Sequence, residues 1–147
     1  MVPKPFFSEA SAPCLLSEVV EISDSDVVSS VEVPQYDAVL IYVGLNGSSA
    51  LPEMYYILKD LSSVADYNKI VASFCDGRFY LAIAQGNSLL LCNSFQATDF
   101  TTAEYFLFLA VKKLQLNPEV SSVYFRTPLT QEQELSLYKY FRSVETF

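Results

Sequence analysis

The stretch KIVASFCDGRFYLAIAQGNSLLLCNSF, residues 69–95, decides the fold of this 147-residue chain. Asp76-Gly77 lies between two apolar runs, and such a pair is the strongest short-range signal for a β-hairpin. Residues 85–87, Gln-Gly-Asn, provide a second turn. The stretch therefore predicts a three-stranded antiparallel meander, with strands at 69–75, 78–84 and 88–95.

Two helices and two strands are predicted after the meander. The segment 99–116 predicts a long helix that begins at a capping box of Thr101 and Glu104 and is stopped by Asn117-Pro118. Its apolar stripe covers more than half of the circumference, which indicates a helix that is largely buried or lies in a subunit contact. The remaining predicted elements are a strand at 121–127, a helix at 130–143 with a capping box of Thr130 and Gln133, and a last strand at 144–147.

The order of elements from residue 69 is therefore β-β-β-α-β-α, with a terminal strand. Crossover helices return the chain to the sheet it left, so the later strands are expected to join the meander. This order predicts an α/β protein with one mixed sheet, as in ribonuclease-H-like and actin-like ATPase folds.

The first part of the chain is less regular and more acidic. Residues 1–37 hold seven acidic side chains against Lys4, a net charge of −6, whereas residues 38–147 hold ten acidic and eight basic side chains, a net charge of −2. Strands are predicted at 27–33 and 38–43, the second covered on both faces because it is uniformly apolar. A helix is predicted at 52–63, with Pro52 in its first turn.

The composition argues against several functional classes. A net charge of −8 repels phosphate backbones, so nucleic-acid binding is not expected. The chain has no histidine, and its three cysteines form no CxxC motif, so we expect no metal site, no disulfide framework and a reducing, cytoplasmic environment. The longest apolar run, YFLFLAV, is far shorter than the roughly 20 residues of a membrane span. Direct membrane insertion is therefore not expected.

Most of the chain resembles a family of uncharacterised bacterial proteins, a domain-of-unknown-function family with an actin-like ATPase fold. The segments that carry the resemblance are VPKPFF, DVVSSVEVPQYDAVLIYV, YNKIVASFCDGRFYLAIAQGNSLLLCNSF, DFTTAEYFLFLAVKKLQLNPEVSSVYF and LSLYKYFRSVE. The family fold is similar to the two-lobed cytoplasmic scaffolds of type IV pilus and type II secretion machines. The resemblance implies a scaffold or assembly role and gives no activity to carry over.

The resemblance also implies a division into two lobes. Residues 65–147 correspond to the second, ribonuclease-H-like lobe, and residues 1–64 to a remnant of the first lobe without its opening hairpins. We therefore expect the chain to be short at its N-terminus for the family. The chain would then be either a fragment or a shortened member, and a fragment would expose sheet edge and apolar surface and could pair with another copy.

The resemblance points to the hairpin SFCDGRFY, residues 73–80, as the place to look for nucleotide binding. In actin-like ATPases such a hairpin offers an acidic residue, glycines and a hydroxyl to phosphate and metal. Aligned by strand register, Ser73 stands where the acid is expected, Asp76 in a glycine position and Arg78 in a hydroxyl position, so that only Gly77 fits. Ser73, Asp76, Gly77 and Arg78 are thus the candidate cofactor-binding residues, and the competing interpretation is a type I′ turn selected for strand twist.

A second candidate is the loop GLNGSSALPE, residues 44–53, which joins a strand to a helix N-terminus. Free N–H groups at such a position bind anions. The loop lacks the lysine of a P-loop and the spacing of a dinucleotide motif, and Glu53 makes it less attractive to anions. The alternative is a plain connection.

The sequence thus predicts a non-catalytic cytoplasmic scaffold or assembly protein that binds a protein partner or itself. No catalytic residue, metal ligand or cofactor is assigned. The alternative is an actin-like ATPase that binds ATP and Mg²⁺ with the help of residues outside this chain.

Overall fold

The computed structural model describes residues 1–18, 20–23, 25–44 and 50–147. Within these residues the chain forms eight β-strands, four α-helices and three short 3₁₀ turns. The strands are β1 Val2–Pro3, β2 Val27–Val33, β3 Ala38–Gly44, β4 Asn68–Cys75, β5 Arg78–Gln85, β6 Ser88–Gln96, β7 Ser122–Phe125 and β8 Ser143–Thr146. The helices are α1 Ala12–Ser17, α2 Glu53–Ser63, α3 Phe100–Lys113 and α4 Gln131–Tyr138.

The predicted order from residue 69 is confirmed. Strands β4, β5 and β6 are antiparallel neighbours, and α3, β7, α4 and β8 follow in the chain. The five strands form one sheet in the order β6-β5-β4-β7-β8. Strand β7 is parallel to both β4 and β8, so the sheet is mixed, as predicted.

The chain divides into two compact units, Met1–Tyr56 and Ile57–Phe147. The first unit contains a three-stranded antiparallel sheet in the order β1-β3-β2 and a small cluster of buried apolar residues, Ala12, Leu16 and Ile41. The second unit contains the five-stranded sheet. The predicted lobe boundary between residues 64 and 65 stays a prediction.

Both faces of the second unit's sheet are buried at β5, where Ala82 is fully buried on one face and a large cluster of apolar side chains lies on the other. Phe79, Leu81 and Ile83 alternate along β5 and are fully buried, as the period of two predicts. They share one buried cluster with four α3 residues and with Leu137 of α4. Burying an aliphatic or phenylalanine side chain stabilises the fold by roughly 1.5–3 kcal/mol, so these contacts hold α3 and α4 against the sheet.

A charged contact ties helix α2 to the residue that follows strand β7 within the second unit. The guanidinium of Arg126, directly after β7, donates a hydrogen bond to the carboxylate of Asp60 on α2. Both side chains are about three-quarters buried, so water screens this ion pair less than it would a surface pair.

The predicted capping box of α3 is wrong. The helix begins one residue earlier than Thr101, and Asp99 is its N-cap, with the carboxylate accepting from the N–H of Thr102 at 2.7 Å. An aspartate side chain reaches this N–H directly, so it satisfies one of the free donors of the first turn. The capping box of Thr130 and Gln133 on α4 is confirmed.

Helix α3 also ends earlier than predicted. It stops at Lys113, before Asn117-Pro118, because Gln115 adopts a left-handed backbone with φ of 57°. The N–H of Leu116 then donates to the carbonyl of Val111 at 3.0 Å, which is the pattern of a Schellman motif. The sequence offers no glycine here, so this stop was not predictable from turn chemistry.

Burial of α3 is narrower than the sequence indicates. Its buried residues are Ala103, Leu107, Ala110 and Val111, whereas Tyr105 is 61% exposed. Strand β3 likewise loses its burial after Ile41.

In the part of the chain that the structure describes, no helix has both the length and the apolar character needed to cross a membrane.

Candidate functional site

The candidate hairpin turn is a tight two-residue connection between β4 and β5. Cys75 pairs with Arg78, and the two residues between them both have positive φ, 52° at Asp76 and 70° at Gly77. Positive φ at both central positions defines a type I′ turn, whose twist matches that of the flanking strands. A methyl group at Gly77 would meet nothing closer than the carbonyl of Ala97 at 4.0 Å, so the glycine is required by its backbone angle and not by lack of space.

Ser73 does not lie at the turn. It pairs with Tyr80 within the sheet and is 0% exposed. Its hydroxyl oxygen has no hydrogen-bond partner among the described residues. A buried hydroxyl without a partner costs free energy, so this position needs an explanation.

The four candidate residues therefore separate into two groups. Asp76, Gly77 and Arg78 are exposed at the turn, and Ser73 is enclosed in the sheet. Arg78 donates to the hydroxyl of Ser94 on β6 at 3.3 Å, so its guanidinium is directed along the sheet.

Sequence reasoning missed several polar residues at this end of the sheet, the carboxyl end, where β4, β6 and β7 finish. Thr127 accepts a hydrogen bond from the backbone N–H of Phe74 at 3.0 Å, although 53 residues separate them. Hydrogen bonds from the N–H and then the hydroxyl of Thr102 lower the pKa of Asp99, which is therefore ionised at neutral pH. The pattern Asp-x-x-Thr was the available signal for this cap, whereas nothing local pairs Thr127 with β4.

A surface pocket of about 400 Å³ lies between the N-terminal turns of α3 and α4. One carboxylate oxygen of Glu104 points inward, is buried and has no hydrogen-bond partner among the described residues. Glu104 and Glu132 both line the pocket. Their two negative charges repel anions, which the helix N-termini would otherwise attract. Its other lining residues are Phe100, Thr101, Thr130, Gln133 and Ser136.

The opposite, amino end of the sheet carries a polar network in which the side chains pair with one another. Tyr124 donates to Asp66 at 2.9 Å, and Arg142 donates to Asp66 at 3.3 Å and to Ser122 at 3.0 Å. Burial, and next the hydrogen bond to Asp66, raises the pKa of Tyr124. Asn68 bridges β4 and β7 by donating to the hydroxyl of Ser121. These contacts join neighbouring strands of the sheet at this end.

Nucleophilic and metal chemistry find little support in the arrangement. Burial raises the pKa of the Cys92 thiol, which makes it a poor nucleophile at neutral pH. Across residues 1–18, 20–23, 25–44 and 50–147, no three Cys, Asp or Glu side chains are grouped closely enough to hold a metal ion.

The loop candidate at 44–53 includes residues 45–49, which lie outside the described residues.

The order of strands and helices around the mixed sheet is that of an actin-like ATPase fold. A solved structure of a Bacteroides thetaiotaomicron protein with actin-like ATPase fold and unknown function resembles this chain with a TM-score of 0.77. The likeness covers 99% of this chain at 20% sequence identity, and it confirms the fold class predicted from the sequence.

Residues 50–144 match the family described as "Protein of unknown function (DUF3822)". The match spans well over half of the chain, so the chain belongs to this family, as the resemblance predicted. The chain covers 63% of the length of the Bacteroides protein. No curated protein matches it.

Proposed function

We propose that this chain is a non-catalytic assembly protein that uses the actin-like fold to bind another protein surface. The observation that carries the proposal is the position of Ser73. It stands where a phosphate-binding hairpin of this fold is expected to present an acidic side chain, and it is sealed within the sheet at 0% exposure.

The residues of the turn support the same proposal. A hairpin that grips phosphate needs free N–H groups and small residues facing the ligand. Here the positive φ angles of Asp76 and Gly77 explain both residues by the twist of the hairpin. Arg78, the cation nearest in sequence, is directed toward Ser94.

The competing function is nucleotide binding, with ATP and Mg²⁺ held in part by residues outside this chain. In that function the exposed Asp76 would have to supply the carboxylate of the hairpin, because Ser73 is enclosed. We also propose a cytoplasmic location, since the three cysteines at positions 14, 75 and 92 are unpaired thiols.

A thermal melt with ATP and Mg²⁺ separates the two functions. A ligand at 100 times its dissociation constant adds about 2.7 kcal/mol to the free energy of unfolding, which is an easily measured rise in melting temperature. We expect no rise at millimolar nucleotide. A rise that the Asp76→Asn variant loses would overturn the proposal and locate the nucleotide at the hairpin; a rise kept by that variant would overturn it and locate the nucleotide elsewhere.

A further inference from the structure

We propose that a second copy of this chain pairs with the outer edge of β6, in antiparallel orientation, so that two five-stranded sheets join into one. This inference rests on the assembly role proposed above and names its surface and partner. It follows from three features of the second unit: an uncharged strand edge that no described strand covers, an apolar groove beside that edge and an uneven distribution of charge along it.

Strand β6 ends the sheet; a β-bulge opposite Ile83 and Ala84 interrupts its first half, whereas Leu91–Gln96 pair in regular register with β5 and leave a regular outer edge. Among the described residues no strand pairs with its outer side. Its nine residues, SLLLCNSFQ, include no charge and no proline, although charges and prolines are the common means of blocking edge-to-edge pairing. The N–H of Ser94 is bonded to the side-chain oxygen of Asn93 at 2.8 Å, a local bond that a partner strand can replace.

A groove of about 240 Å³ runs between this edge and α3. The ring of Phe95 stacks on that of Phe106 with centroids 4.5 Å apart, so the two elements are firmly packed where they meet. A strand added beside β6 would direct alternate side chains toward α3, over this groove. The other lining residues are Leu91, Asn93, Leu109, Ala110, Lys113 and Leu114.

Charge is distributed unevenly along this surface. Lys113 lines the groove beside Leu91, near the first half of β6. Asp99 lies just beyond the last residue of β6. The turn that holds Asp76 lies at the same end, because the N–H of Ala97, directly after β6, donates a hydrogen bond to the carbonyl of Gly77 at 2.9 Å. Arg78, at the same end, is bonded to Ser94 and offsets one of these two negative charges. The surface is therefore cationic at one end and anionic at the other.

This charge pattern selects a second copy as the occupant. In a two-fold antiparallel pair, the Lys113 end of one chain faces the Asp99 end of the other, twice in each dimer. The uncharged middle of β6 brings no like charges together when it meets itself. Such an interface uses the same patch on both chains, so it closes as a dimer and does not propagate as a fibre.

Exposed apolar side chains along the edge add area to the interface. Leu90 on β6 is 39% exposed and Tyr105 on α3 is 61% exposed. Both would lose contact with water when a second sheet edge and its helix approach.

Light scattering over a series of chain concentrations tests the proposal. We expect the mass to rise from one chain to two and no further. Leu90→Lys places a charge at the edge and is expected to raise the dissociation constant at least about 100-fold, because the charge must be desolvated at the interface. Circular dichroism of the monomeric variant checks that it stays folded.

A charge reversal tests the orientation of the pair. Lys113→Glu is expected to weaken the dimer about tenfold, and Thr98→Lys, beside Asp99, to weaken it by a smaller factor. Combining the two removes the repulsion that Lys113→Glu creates, because Thr98→Lys offsets the net negative charge at the facing end, and should return part of the affinity that Lys113→Glu loses, which a purely local effect would not do. Lys139→Glu is the matched control, because it makes the same charge change at the exposed end of α4 and should leave the dimer unchanged.

A chain that remains monomeric at every concentration overturns the inference, as does a dimer that Leu90→Lys leaves intact. A dimer with no rescue in the double variant overturns the antiparallel orientation. These failures differ from failure of the assembly role itself, because nucleotide binding in the thermal melt overturns that role whether or not the chain dimerises.

Discussion

The two ends of the five-stranded sheet use similar residue types in different ways. At the amino end, Asp66, Tyr124 and Arg142 form a connected network of hydrogen bonds. At the carboxyl end, the hydroxyl of Ser73 and one oxygen of Glu104 are buried without partners among the described residues. Polar side chains at the amino end therefore join neighbouring strands through hydrogen bonds to one another. The buried polar groups at the carboxyl end make no such bonds among the described residues.

The largest effect is expected from Ser73→Asp, which restores the acidic residue of a phosphate-binding hairpin. Because Ser73 is fully buried, an unpaired carboxylate there should destabilise the fold by about 3 kcal/mol or more. Urea unfolding measures the loss.

Ser73→Ala is the matched control for that variant. It removes an unpartnered hydroxyl and is expected to leave stability unchanged or slightly higher. A Ser73→Asp protein as stable as the wild type would contradict this prediction. It would show that the position faces a ligand site and that the carboxyl end of the sheet is not closed by packing.

Removal of Asp66 tests the network at the amino end. Asp66→Ala leaves the hydroxyl of Tyr124 and the guanidinium of Arg142 without their shared acceptor and is expected to cost about 1–2 kcal/mol, reduced by the partial exposure of the pair. Asp66→Asn keeps an acceptor and should cost less in the same urea titration. Equal stability of Asp66→Ala and the wild type would remove the distinction between the two ends.

Gly77→Ala sharpens the description of the turn. A residue with a Cβ at φ of 70° is strained, and we expect a loss of about 1 kcal/mol in the free energy of unfolding. The control is Asp76→Asn, since asparagine tolerates positive φ and should cost little. If Gly77→Ala were neutral, the turn would have to adopt another conformation, and the twist argument would not hold.

The smallest effect is a dependence on pH at the N-cap of α3. Hydrogen bonds from Thr102 lower the pKa of Asp99 below 3.8, its usual value. A lowered folded-state pKa contributes stability that is present above the unfolded pKa and is lost as the pH falls through the folded pKa. Melting temperatures between neutral and strongly acidic pH should therefore fall slightly less steeply in Asp99→Asn than in the wild type, and identical curves would contradict the role of the ionised cap.

Local sequence patterns predicted most of the fold. The meander followed from Asp76-Gly77 and from apolar runs, and the second-unit elements appear in the predicted order. Two details of α3 were predicted wrongly. Its N-cap is Asp99 and not Thr101, and its end is set by a left-handed backbone at Gln115, which is not a glycine. The candidate site was less predictable. Ser73 is close in sequence to the turn, but it is buried in the sheet, whereas the turn residues are exposed.

The amino-acid sequence by itself determined the strands of the second unit, the type I′ turn and the absence of charge along β6, since these depend on the residues within one short segment. Only the tertiary structure decided that Ser73 is enclosed, that Thr127 caps the N–H of Phe74, and that Lys113 and Asp99 lie at opposite ends of one edge. Burial and charge pairing depend on segments far apart in the chain, and their approach is set by the packing of the sheet and helices. SFCDGRFY therefore contains a turn that can be predicted from its residues and a buried serine that cannot.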